Sequence, residues 1–126
     1  DILKSRNFYK AALIEYQHAV DQSKIFSPIL HNKLAKIHFL TKEYEKAEIL
    51  LMESLHHYPM FHTTLASMGE LYFDTGHMEK SRKFYERAIR INPFNPFVHM
   101  QLINIHQKLG QNREKELQAK LFGYID

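Results

Sequence analysis

The chain contains no cysteine. That absence excludes a disulfide framework, thiolate metal sites and cysteine nucleophiles, while leaving the compartment open. Glycine and proline are scarce, four of each in 126 residues, too few for a linker-rich chain. No apolar run approaches the roughly 18 residues that a membrane-spanning helix requires, so membrane insertion is not expected. The opening Asp1-Ile2-Leu3-Lys4 lacks a Met, a basic n-region and an apolar h-region. No signal peptide is read there, the default location is cytoplasmic, and the expectation is a piece of a longer protein. Charge of a single sign is lacking as well. The net charge is +3, and Lys and Glu alternate in stretches such as Lys42-Glu43-Tyr44-Glu45-Lys46. No basic stripe stands out for nucleic acid, and a solvated helix face with opposite charges side by side accounts for the pattern.

What is present is ordinary globular composition, 44% hydrophobic and 25% charged, on a length that suits one domain. Half of the sparse glycines and prolines recur at one interval. Pro59 and Pro93 stand 34 residues apart, as do Gly76 and Gly110, Tyr44 and Met78, and Leu34 and Met68. The most regular stretch runs Leu65-x-x-Met68-Gly69-x-x-Tyr72, then Ser81-x-x-x-Tyr85, Ala88 and Pro93. A repeat of this length means one supersecondary unit stacked on its own copies.

The spacing and the Leu/Met-Gly-x-x-Tyr cluster resemble the tetratricopeptide (TPR) repeat. The resemblance implies an all-α, right-handed α-solenoid of about three and a half helix–turn–helix units. It divides the chain into a half-repeat over 1–26, repeats over 27–61 and 62–95, and a repeat plus capping helix over 96–126.

Punctuation agrees with the period. Ser27-Pro28 and Asn95-Pro96 each put a capping side chain before a proline, which is tolerated in a first helical turn. Gly76 and Gly110 fall where a chain must leave one helix for the next; Asn7 and Lys42 hold the corresponding places in earlier units, Lys42 as a departure. Seven helices are predicted, over 6–22, 28–41, 43–57, 62–75, 78–91, 96–109 and 112–124. In the first helix of each unit an inward stripe recurs at i, i+3, i+4, i+7: His31/Leu34/Ala35/His38, Leu65/Met68/Gly69/Tyr72 and His99/Leu102/Ile103/His106. The second helices carry Tyr9/Ala12/Tyr16/Ala19, Tyr44/Ala47/Leu51/Leu55 and Met78/Ser81/Tyr85/Ile89. Small residues (Ala35, Gly69, Ala47, Ser81) opposite large ones let helix axes approach to about 8–10 Å. Helix 6–22 is expected to keep an uncovered apolar side near Phe8, Ala12 and Tyr16. Lys115 and Phe122 replace the small residues of the pattern, so 112–124 reads as a polar-faced cap.

Nine histidines raise the question of a metal. His31/His38 and His99/His106 are each seven residues apart, a rise of about 10.5 Å along a helix, too far to share one ion. They stand where TPR units place aromatics and are read as packing residues. His56, His57 and His62 flank the Tyr58-Pro59 turn without a carboxylate or thiolate in ligand spacing, so no metal or cofactor is expected. No catalytic motif is present: no H-E-x-x-H, no G-x-S-x-G, no phosphate-binding glycine run. Glu43/Glu45 and Asp74/Glu79 read as surface carboxylates, and the chain is not read as an enzyme.

In TPR arrays the first helices line a concave groove, and ligands lie across it. Here that stripe would hold Ile29, Asn32, Lys36 and Phe39, then Thr63, Ala66, Glu70 and Phe73, then Phe97, Met100, Asn104 and Gln107. Phe39 and Phe73 either form an apolar shelf about 10 Å long or turn into the core. Aromatic anchors among amides suit a protein or peptide partner, extended or helical. One TPR subfamily clamps the acidic tails of chaperones with Lys and Asn on the first helices and a Lys-x-x-x-Arg pair on a later one. Asn32 and Lys36 match part of that set, but Ala66/Glu70 and Met100/Asn104 do not complete it, and Glu70 would repel a carboxylate. The resemblance therefore implies a protein–protein interaction scaffold. The alternatives are an accessory segment of a larger enzyme and self-association through helix 6–22.

Overall fold

Local chemistry fixes where the helices begin. Ser27 sits in extended backbone (φ −117°), and its hydroxyl accepts from the Leu30 N–H at 3.2 Å while Pro28 occupies the first turn. Asn95 does the same 68 residues later, its side-chain carbonyl accepting from the Phe97 and Val98 N–H groups at 3.0 and 3.3 Å. The helix ends are equally specific. The Glu43 N–H closes on the His38 carbonyl and, 34 residues on, the His77 N–H closes on the Tyr72 carbonyl, both at 2.8 Å. Each such closure needs a left-handed residue just before it. Gly76 supplies one (φ 84°), and Lys42 supplies the other (φ 64°).

The structure, a computed structural model, describes the backbone of residues 2–121 and the side chains of residues 4–113, 116, 117 and 120. Six helices follow one another: α1 (Ile2–Gln22), α2 (Pro28–Leu40), α3 (Tyr44–His57), α4 (His62–Asp74), α5 (Met78–Ile91) and α6 (Pro96–Leu121). Among the described residues there is no strand, and no helix is long and apolar enough to cross a membrane. Each helix packs on the next, and α2 also touches α4, as stacked hairpins require.

Two buried clusters hold the stack. Ala35, Ala47, Leu51, Met68, Leu71 and Tyr72 form the first, between α2, α3 and α4. Tyr85, Val98 and Ile105 form the second, between α5 and α6, with Ala66, Phe73, Leu102 and Leu109 packed against it. The α4–α5 hairpin is closed most tightly. The Ser81 hydroxyl donates to the Gly69 carbonyl at 2.7 Å, and the Tyr85 ring lies flat against the bare Cα of Gly69. Across the first seam runs a polar chain: Asn32 donates to the Thr64 hydroxyl at 2.9 Å, and Thr64 and Ser54, both fully buried, share a hydrogen bond of 3.2 Å.

The expected inward stripes are buried in the two middle units, His31 and His38 included. The third behaves differently. The described parts of the expected helices 96–109 and 112–124 form one helix through Gly110, Pro96–Leu121, so the described residues make six helices with no separate cap. A mid-helix glycine costs only about 1 kcal/mol relative to alanine. Folding back in repeat register would instead carry Lys115 to the place that Ala47 and Ser81 occupy, both of them fully buried. Among the described residues no second helix lies over α6; His99, Ile103 and His106 are exposed, and Val98 and Ile105 are the buried ones of that helix. The reading of His99 and His106 as packing histidines is thus overturned. Asn7 is likewise inside α1, which begins at Ile2 rather than at residue 6. The expected open side of α1 is seen at Phe8 and Ile14, with Ala12 and Tyr16 half-buried. The Lys115 and Phe122 side chains, invoked for the cap, lie outside the described residues.

Candidate functional site

The stripe predicted to line a groove comes from α2, α4 and α6, and contacts between helices tie it together. Lys36 Nζ donates to Glu70 Oε1 at 3.1 Å, linking α2 to α4, and lies 5.0 Å over the Phe39 ring. One unit further, Lys108 Nζ lies 4.5 Å over the Phe73 ring, linking α6 to α4. Each ammonium sits on the electron-rich face of an aromatic, an attraction worth roughly 0.5–1 kcal/mol at exposed sites.

These contacts change what the two phenylalanines offer. Phe39 packs on the first cluster and stands edge-on to Tyr44 at 5.8 Å; Phe73 packs on the second. Both are half-buried and lysine-covered, so what faces solvent is a cation over a ring rather than a shared bare shelf. Ala66 is half-buried beside Phe73. The open apolar surface lies elsewhere on the stripe: Ile29, Phe97 and Met100 are exposed by 57, 46 and 61%. Thr63 and Gln107 are exposed, and Asn104 donates to Gln101 at 3.1 Å. Asn32 spends its amide on Thr64 and Lys36 spends its charge on Glu70. The polar groups Asn32 and Lys36 in the first half of the stripe are therefore satisfied internally, and apart from Ile29 the open apolar surface lies on α6.

The sequence model of a family described as "Tetratricopeptide repeat" matches residues 62–95. The fold is that of a TPR domain. Solved TPR domains superpose over most of this chain. The first TPR of Spaghetti (RPAP3) bound to an HSP90 peptide is 23% identical at a TM-score of 0.76, covering 84% of this chain and 83% of that one. The first TPR domain of human RPAP3 is 22% identical at 0.78, covering 87% and 86%. The Sgt2 TPR domain from Aspergillus fumigatus is 18% identical at 0.78, covering 88% and 74%. No curated protein sequence matches this one.

Sequence reasoning missed Lys108. It falls one place beyond the Phe39/Phe73 column, in register with Asp74, and its role becomes visible only when α6 is laid beside α4. Thr64 was missed for a similar reason, since its partners Asn32 and Ser54 come from two other helices. Among the titratable groups, burial pushes the Tyr85 phenol well above its ordinary value and raises that of Tyr72 more modestly. The histidines at the Tyr58 turn are engaged with rings: His57 stacks on Phe26 at 3.9 Å, His56 stands edge-on to His57, and His62 edge-on to Phe61. Among the described residues, no group of three or more His, Asp or Glu is arranged to hold a metal ion.

Proposed function

We propose that this TPR domain is a non-enzymatic protein-interaction module that takes a peptide or partner helix across the face lined by α2, α4 and α6. The observation that carries the reading is the exposure of Phe97 and Met100 on the α6 part of that face. Large apolar side chains on a rigid, pre-stacked surface give affinity at little ordering cost. The occupant has apolar anchors for Phe97 and Met100. An acidic chaperone tail of the kind found on the first TPR of Spaghetti is disfavoured, because Glu70 already holds Lys36 at 3.1 Å and a ligand carboxylate would have to displace it. Self-association through α1 is a second use, supported by the exposure of Phe8 and Ile14, 66 and 64%.

The test uses surface residues, because truncating half-buried Phe39 or Phe73 would also loosen the core. Peptides selected from a random library on the intact chain are measured against Phe97→Ala/Met100→Ala. The expected result is at least about a tenfold weaker affinity with an unchanged melting temperature. Equal affinity for the variant would overturn the reading.

A further inference from the structure

Helix α6 has 26 residues and its neighbour α5 has 14, about 39 Å against 21 Å. The surplus carries α6 beyond the end of the hairpin it packs on, and along it runs a stripe left exposed among the described residues. Ile103, Gly110 and Leu117 stand at successive intervals of seven residues, all exposed, the two large ones by 59% each. Two turns separate each from the next, so the three share one side of the helix. A Cβ placed on Gly110 would meet no atom within 4 Å. The glycine is therefore not there to admit a neighbour from its own domain, and it leaves a bare spot midway between two aliphatic side chains.

That stripe is its own complement. We propose that α6 pairs antiparallel with α6 of a second copy of this chain, the two-fold axis passing at Gly110. In that register Ile103 of one copy meets Leu117 of the other, twice over by symmetry, and the two glycines face each other where the helices cross. Gln107, exposed beside the stripe, falls opposite Arg113 of the second copy, an amide carbonyl against a guanidinium. A two-fold interface needs a patch that matches itself on inversion of direction, and the equal spacing of Ile103 and Leu117 about Gly110 meets that condition. The continuity of α6 through Gly110 is what exposes the stripe, since a helix folded back at Gly110 would break it. Asn104 and Phe97 lie about 100° and 120° around the helix from Ile103, so pairing leaves that part of the proposed groove side open, while Gln107 at its edge is shared with the dimer contact.

Light scattering of the 126-residue chain across a concentration series gives the first readout, with a monomer–dimer equilibrium expected. Gly110→Gln adds a side chain where the domain itself has open space, so the melting temperature of the monomer should not fall, while dimerisation weakens at least about tenfold; Ile103→Glu should act alike. Phe8→Glu, on α1, should leave the dimer intact. Because the chain has no cysteine, Gly110→Cys should give a disulfide-linked dimer, and chains carrying Ile103→Cys should crosslink to chains carrying Leu117→Cys. A monomer at every concentration, or a dimer that survives Gly110→Gln and yields to Phe8→Glu, would overturn the proposal.

Discussion

A Cβ added to Gly69 would lie 2.7 to 2.8 Å from three atoms of the Tyr85 ring. Contacts that short do not occur between real carbon atoms, and the ring is fully buried, so neither group has room to yield. Gly69 is thus fixed by steric need on the α4 side and Tyr85 by the space that the glycine leaves.

Gly69→Ala is expected to destabilise the domain. Overpacking of about 1–3 kcal/mol outweighs the roughly 1 kcal/mol of helix propensity gained. Pairing it with Tyr85→Leu should restore much of the loss, because the first unit already fills the same two places with Ala35 and Leu51. Thermal melts of the single and double variants measure this, and equal melting temperatures for both would contradict it.

Tyr85 carries a second consequence. Its hydroxyl is buried without a hydrogen bond; Gln101 is near enough to affect it but not in bonding geometry. Burial raises the folded pKa above the ordinary 10.0. The unfolded chain ionises first as pH rises, so the contribution of this group is whole below about pH 10 and is lost above it. Tyr85→Phe removes the orphan hydroxyl and should gain about 1 kcal/mol near neutrality. Above pH 10 the variant should lose stability less steeply than the parent, as read from denaturant midpoints at pH 8 and pH 10.5.

The turn after α2 offers a stabilising change. Lys42 holds φ 64° in the place where the next unit has Gly76 at 84°. A side chain in left-handed backbone costs about 1 kcal/mol that glycine avoids. Lys42→Gly should raise the melting temperature by a few degrees, and a fall would show that the lysine side chain contributes more than the strain removes.

How much of this was legible beforehand can be traced residue by residue. The 34-residue interval located the turns at Lys42 and Gly76, and the helix-face spacing identified Leu34, Ala35, Leu65, Met68 and Tyr85 as core, because burial follows directly from periodicity. Gly110 misled because glycine permits a left-handed turn without demanding one, and permission looks the same as use in a sequence. The error propagated to His99 and His106, assigned to a contact with a helix that is not folded over them. The groove side chains were named from their column in the repeat. The pairing of Lys36 with Glu70 and of Lys108 with Phe73 was hidden, since each spans two helices whose relative rotation no local pattern encodes.

The Asn32–Thr64–Ser54 chain has a thermal corollary. It seals the seam between the first two hairpins with polar bonds, whereas the seam against α6 rests on Tyr85, Val98 and Ile105. Burial of apolar surface weakens on cooling and hydrogen bonding does not weaken with it. Chilled toward freezing, the molecule should come apart from its C-terminal side, with amide protons of α6 exchanging sooner than those of α2 and α4.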